Sequence, residues 1–210
     1  YIISMAVAMG VAFTLTWLFG TNNEQIRNEN KTSENKTEKA EQPAQAMETK
    51  AENADAADDG IITAPLSGKA VKLENVPDQT FAQGILGLGA AIEPTEGKVV
   101  APGDGKVETL FDTFHAVGLT LDNGKELLIH VGINTVELKG EGFKAYVSEG
   151  DRVTKGQTLI TFDMDFIKSK GYQTITPVLV GNSDEFASVE ELAEEGTEVT
   201  IGDKLIKVNA

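Results

Sequence analysis

With 210 residues, no cysteine and a formal net charge of −15, the chain has room for one domain of about 150 residues plus flanking segments. The missing cysteines exclude disulfides, thiolate catalysis and Cys-type zinc sites. The negative charge speaks against nucleic acid, whose phosphates Lys and Arg must neutralise, and against charge-driven adhesion to an anionic membrane. It suits a cytosolic protein that docks a basic partner, although acidity serves solubility just as well.

The first zone, Tyr1 to Gly20, carries no charged side chain. Roughly 20 apolar residues span a bilayer core, and Trp17 near the end of the stretch suits the interface. The expectation is a transmembrane helix, the last of a larger membrane protein; a buried core helix is the alternative. A signal peptide is disfavoured, because no basic region precedes the apolar run and Leu18 and Gly20 make a poor cleavage site. Tyr1 in first place fits a piece of a longer chain.

From Thr21 to about Gly60 the composition turns to Glu, Lys, Asn, Ala and Thr, and Ile26 and Met47 are the only large apolar residues. Such a segment buries too little to offset its ordering entropy. Residues 21–60 are expected to form a disordered linker with a root-mean-square span on the order of 35 Å. It would hold the downstream residues near the membrane at high effective concentration.

Residues 61–210 read as the folded domain. Short apolar runs are broken by turn signals at Pro65-Leu66-Ser67-Gly68, Pro102-Gly103-Asp104-Gly105, Asp122-Asn123-Gly124, Glu149-Gly150-Asp151 and Gly181-Asn182-Ser183. This spacing predicts an all-β, antiparallel sandwich or barrel. Two short helical exceptions are expected, over Ser188 to Glu195 and near Asp165 to Lys170. The segments Ala101 to Val107 and Val147 to Val153 each pair a Gly-Asp turn with a following Val. They read equally well as a weak duplication and as two ordinary tight turns.

His115 and His130 are the only histidines, and an Asn-Gly pair lies between them. With Asn123 and Gly124 at the tip of a type I′ hairpin, Thr120 faces Leu127, Gly118 faces Ile129 and Val117 faces His130. His115 then sits diagonally across from His130 on one face, about 7–8 Å away at the backbone. Thr113 shares that face if the strand continues. A loop one residue longer would shift the register and send the two rings to opposite faces. A histidine in an apolar strand is usually a satisfied core residue. Two on one face suggest a site instead. A zinc site wants a third ligand, and no His-x-His or His-Glu-x-x-His occurs; no Gly-x-Ser-x-Gly points to a serine nucleophile. A phosphoryl relay needs one imidazole as acceptor and one donor to hold the phosphoryl oxygens, which suits what is present.

The run Gly124-Lys125-Glu126-Leu127-Leu128-Ile129-His130-Val131-Gly132-Ile133-Asn134-Thr135-Val136-Glu137-Leu138 resembles the active-site signature of the glucose-type enzyme IIA domain of the bacterial phosphoenolpyruvate-dependent sugar phosphotransferase system (PTS). Ile62-Thr63-Ala64-Pro65-Leu66-Ser67-Gly68, Val76-Pro77-Asp78, Val100-Ala101-Pro102 and Thr174-Ile175-Thr176-Pro177-Val178 are similar to further stretches of that family. The end of the first zone, Leu15 to Gly20, is similar to the end of the IIC domain of fused sucrose, trehalose and β-glucoside permeases. The order IIC, linker, IIA is what these likenesses imply: the C-terminal piece of a fused IIBCA permease at the cell membrane, its IIA domain on the cytoplasmic side.

By this resemblance His130 accepts a phosphoryl group from the phosphocarrier protein HPr and passes it to a IIB domain. His115 hydrogen-bonds the phosphoryl group, Thr113 orients a histidine, and no metal or cofactor is required. Phe81, Ile85, Phe111 and Leu128 match an apolar docking patch, although each could be plain core. Asp78 matches an acidic position that meets Arg on HPr. Asn134 departs from the Asp that many relatives carry, which should slow association more than chemistry. The competing reading is a IIA-like regulatory module that controls a fused or separate sugar transporter through its phosphorylation state.

Overall fold

The computed structural model describes residues 59–210. The expected membrane span and nearly all of the expected linker lie outside them. Among the described residues no helix is long and apolar enough to cross a membrane. The strands, in chain order, are β1 (Ile61–Thr63), β2 (Gly68–Lys72), β3 (Leu88–Pro94), β4 (Lys98–Val100), β5 (Gly105–Leu110), β6 (Ala116–Leu121) and β7 (Glu126–His130). They continue as β8 (Phe143–Ala145), β9 (Arg152–Val153), β10 (Thr158–Phe162), β11 (Thr176–Val180), β12 (Ser188–Glu191), β13 (Glu198–Val199) and β14 (Lys204–Asn209). Two short helices, α1 (Gln79–Ala82) and α2 (Met164–Ser169), interrupt them.

The expected antiparallel all-β architecture is what forms. An eight-stranded sheet runs β13-β2-β3-β11-β7-β6-β5-β9, and two three-stranded sheets run β1-β14-β12 and β4-β10-β8. The two Gly-Asp segments meet in the large sheet, where Gly105 pairs with Val153 and Lys106 with Arg152.

Alternation sorts the site hairpin. Val117, Leu119, Leu121, Leu127 and Ile129 are buried in the main core, whereas Gly118, Thr120, Leu128 and His130 are only half-buried. β11 is buried throughout, as a central strand covered on both faces should be. Its ladder with β7 runs from Val180–Leu127 to Val178–Ile129 and stops one residue short of His130. Pro177 comes next on β11 and has no N–H to extend the ladder.

The segment after β2 covers the second face. Leu73, Val76 and Phe81 pack with Ala91, Ile133, Ile175 and Leu179 into a second, smaller core, with Leu128 partly buried against it. Asp78 starts α1 by accepting a hydrogen bond from the Thr80 N–H at 2.8 Å, the usual service of an Asp N-cap. Phe81 is thereby pressed onto the sheet beside the end of β7.

Two expectations are corrected. The stretch Ser188 to Glu195 is not helical: Ser188–Glu191 is strand β12, paired with β14 from Ser188–Asn209 to Glu191–Ile206. Its Glu side chains find tertiary partners, Glu191 accepting from the Leu73 N–H at 2.8 Å and Glu190 from Asn209 at 2.8 Å, and this pairing overrides a weak helix preference. The hairpin register is also one residue off the expected one. Ala116 pairs with His130, Val117 with Ile129 and Thr120 with Glu126.

The turn explains the shift. Leu121 N–H donates to Lys125 O and Gly124 N–H to Leu121 O, both at 2.9 Å, so Asp122, Asn123 and Gly124 form a three-residue loop. Only Gly124 takes a positive φ, 81°, whereas a type I′ turn needs two such residues. Neighbours hold this loop in place. Arg152 binds Asp122 through two contacts of 2.7 Å. Buried Asn182 accepts from the Glu126 N–H at 3.0 Å and donates to Gly124 O at 3.1 Å.

Asn182→Ala leaves that N–H and that carbonyl without their partner. The expected cost is about 1–3 kcal/mol of stability, visible as a lower urea midpoint at unchanged m value.

Candidate active site

His130 ends β7, half-buried, with its ring 4.8 Å from that of His115 at an interplanar angle of 83°. The register shift does not separate the rings, because His115 lies outside the pleated strand. Its carbonyl still accepts the Val131 N–H at 2.7 Å. By alternation its side chain belongs on the inner face with Val117, but the strand ends at Ala116. Phe114 sits at φ 55° and closes a tight turn by donating its N–H to Phe111 O at 2.7 Å. A bulky residue in this conformation is strained, and the turn it makes brings the His115 ring to His130.

Each ring is held by a hydrogen bond at Nδ1. For His130 the partner is the Gly132 carbonyl at 2.8 Å. A carbonyl only accepts, so Nδ1 carries the hydrogen, and in the neutral ring the lone pair is on Nε2. For His115 the partner is Thr113 Oγ1 at 2.5 Å, a hydroxyl that can give or take a hydrogen.

Aromatic rings flank the pair. Phe81 lies 5.0 Å from His130 and Phe111 lies 5.3 Å from His115. Burial lowers the proton affinity of both imidazoles. His130 is pushed down by burial and pulled back up in part by the Gly132 carbonyl and the charge of Asp78. His115, only 4% exposed, is pushed to about 4 by burial and by His130. Both rings are therefore neutral near pH 7, the state in which an imidazole nitrogen is a nucleophile. Among the described residues no group of three or more His, Asp or Glu is placed to hold a metal ion.

A neutral imidazole with a directed lone pair, beside a second imidazole, fits nucleophilic transfer chemistry. The model of one family, described as "phosphoenolpyruvate-dependent sugar phosphotransferase system, EIIA 1", matches residues 60–186. The chain belongs to this EIIA family. It is 50% identical over 137 residues to the PTS system glucose-specific EIIA component of Halalkalibacterium halodurans, covering 65% of this chain and 79% of the relative. To the component of the same name in Staphylococcus aureus it is 48% identical over 131 residues, covering 62% and 79%. Among solved structures, the glucose permease IIA from Mycoplasma capricolum superposes with a TM-score of 0.62 at 32% identity, over 70% of this chain and 93% of that one. The chain is thus an EIIA component of a sugar PTS, a phosphotransfer protein by family.

Around the EIIA histidines the structure gathers most of the residues singled out from the sequence. Thr113, Phe81 and Phe111 touch the rings, and Asp78 acts on His130 through its charge. Leu128 precedes His130 by two on the same face and packs on the Phe81 cluster. Phe81 itself is only 6% exposed, whereas Ile85 and Phe111 are 66% and 41% exposed. Asn134 is exposed and left-handed, with φ 60°, a conformation that Asn tolerates.

Two contributors lie outside the site residues read from the sequence. Phe114 offers no signal, since nothing in its type favours positive φ. Gly132 offers one, a glycine just past the strand end: it has φ 75°, and a Cβ there would lie 2.5 Å from Thr135 Cγ2 and 2.6 Å from Gln173 O.

The depressed His115 pKa has a stability consequence. Between about 4 and the ordinary 6.5 the unfolded chain binds the extra proton, so stability falls as pH drops through that window and is flat above it. The loss is on the order of 3 kcal/mol. Urea titrations of His115→Gln across this range should show a shallower acid slope than wild type; parallel slopes would count against the assignment.

Proposed function

We propose that this EIIA domain carries the phosphoryl group on His130 Nε2, taking it from phospho-HPr and passing it to a IIB domain during sugar uptake. The observation that carries the reading is the hydrogen bond from His130 Nδ1 to the Gly132 carbonyl, which leaves the Nε2 lone pair free to attack. In the transfer the Nε2–P bond forms as the bond to the donor breaks, and Nδ1 keeps its hydrogen throughout. When Thr113 donates to His115 Nδ1, His115 presents Nε2–H to the phosphoryl oxygens. Catalysis is then positioning and charge stabilisation, with no metal or cofactor.

Partners dock on the surface around the pair. Ile85, Phe111 and Leu128 supply apolar contact, with Phe81 beneath, and Asp78 supplies a rim charge for a basic partner. Asn134 supplies none, so association should be slower than with Asp there. By its apolar sequence alone, Tyr1 to Gly20 is proposed to tether the domain to the cell membrane as the end of the IIC domain of a IIBCA permease, with the IIA domain on the cytoplasmic side. Glucose, named for the relatives, is the first sugar to test.

Incubation with phosphoenolpyruvate, enzyme I and HPr should give an acid-labile adduct on one histidine by mass spectrometry. His130→Ala should abolish it. His115→Gln should still accept the group but pass it on more slowly, by on the order of 10²-fold, because the hydrogen bond to the phosphoryl group is weakened. Transfer by His115→Gln at the wild-type rate would show that the two roles are misassigned.

A further inference from the structure

We propose that Thr135 is a positioning residue for phosphoryl transfer, its hydroxyl fixing the peptide groups around Gly132 and thereby the tautomer of His130. The inference rests on His130 being the phosphoryl acceptor.

Two peptide planes meet at Gly132. The Val131–Gly132 plane is held through the Val131 carbonyl, which accepts from Thr135 Oγ1 at 2.5 Å. The Gly132–Ile133 plane is held through the Ile133 N–H, which donates to Gln173 O at 3.1 Å. The Gly132 carbonyl that receives the His130 Nδ1–H belongs to this second plane. Its direction is therefore set by a backbone angle on each side of Gly132, and each angle is fixed by one hydrogen bond. Thr135 is fully buried, and its γ-methyl occupies the space where a Cβ on Gly132 would go. The residue thus contributes a hydroxyl that aims the plane and a methyl group that, together with the Gln173 carbonyl, leaves room for glycine alone.

The tautomer matters in both directions of transfer. On arrival, the Nε2 lone pair forms the N–P bond while the donor leaves with its own electron pair. The phosphorylated ring, with hydrogen still on Nδ1, carries positive charge that the Gly132 carbonyl faces. On departure the N–P electron pair returns to Nε2, and the leaving group is neutral imidazole. Without the Nδ1 hydrogen the leaving group would be imidazolate, a far poorer one. A carbonyl swung away from Nδ1 releases the ring to its other tautomer, in which Nε2 bears hydrogen and cannot attack.

Nitrogen-15 spectra of the imidazole rings in the unphosphorylated protein read the tautomer without any transfer. Wild type should show His130 protonated at Nδ1 alone. Thr135→Val and Thr135→Ala both remove the hydroxyl while differing in the volume they leave, so loss of fold in one leaves the other usable. Each should shift His130 toward the Nε2–H form and slow onward transfer by on the order of 10- to 100-fold. Thr135→Ser should restore both. A wild-type tautomer in the Val and Ala variants, or a changed tautomer with unchanged transfer, overturns the proposal. Failure of the wild-type protein to accept phosphate from phospho-HPr would instead remove the functional reading.

Discussion

The hydrogen bond from His130 Nδ1 to the Gly132 carbonyl is the constraint on which the site depends. It decides which nitrogen of the more exposed histidine carries the lone pair. A side-chain acceptor could rotate away; a backbone carbonyl moves only if the chain moves. The fold supplies that rigidity through the Val131, Ile133 and Thr135 contacts around one left-handed glycine.

The large sheet provides the rest of the positioning. One face of the β6–β7 hairpin is committed to the main core by Val117, Leu119, Leu127 and Ile129. The other face would expose apolar surface next to His130. The segment from Leu73 to Phe81 covers part of it and builds the smaller core. The same cover lays an aromatic ring against His130 and sets a half-buried carboxylate, Asp78, within electrostatic reach. This one element therefore contributes opposing effects: burial, which favours the neutral His130 ring, and a carboxylate, which favours the charged one; burial prevails and leaves the proton affinity of His130 below its ordinary value.

Much of this is legible in the chain itself. Turn residues between short apolar runs indicate the antiparallel β class, because glycine and aspartate mark reversals for steric and hydrogen-bonding reasons. The scarcity of histidine points to the pair, and the run Gly124 to Leu138 carries the family resemblance. Other features are not legible. Ser188 to Glu191 has a helical composition and becomes a strand, because the groups that hold its glutamates are remote in sequence. Leu73 lies 118 residues from Glu191, and Asn209 lies 19 residues from Glu190. The hairpin loop is one residue longer than its Asn-Gly pair suggests, since Arg152 and Asn182 grip it from outside.

The sequence by itself determined the class of fold, the histidine pair as the candidate site and the family, because these depend on local residue chemistry and on the order of residues along one strand. Only the tertiary structure decided that the two rings meet and which nitrogen is free. Alternation along a strand predicts side-chain direction only while the pleat lasts, and His115 lies just past its end, turned by the left-handed Phe114. The free nitrogen is set by a carbonyl whose direction depends on Gln173, far downstream of Ile133 in the chain, and no local pattern encodes a contact of that range.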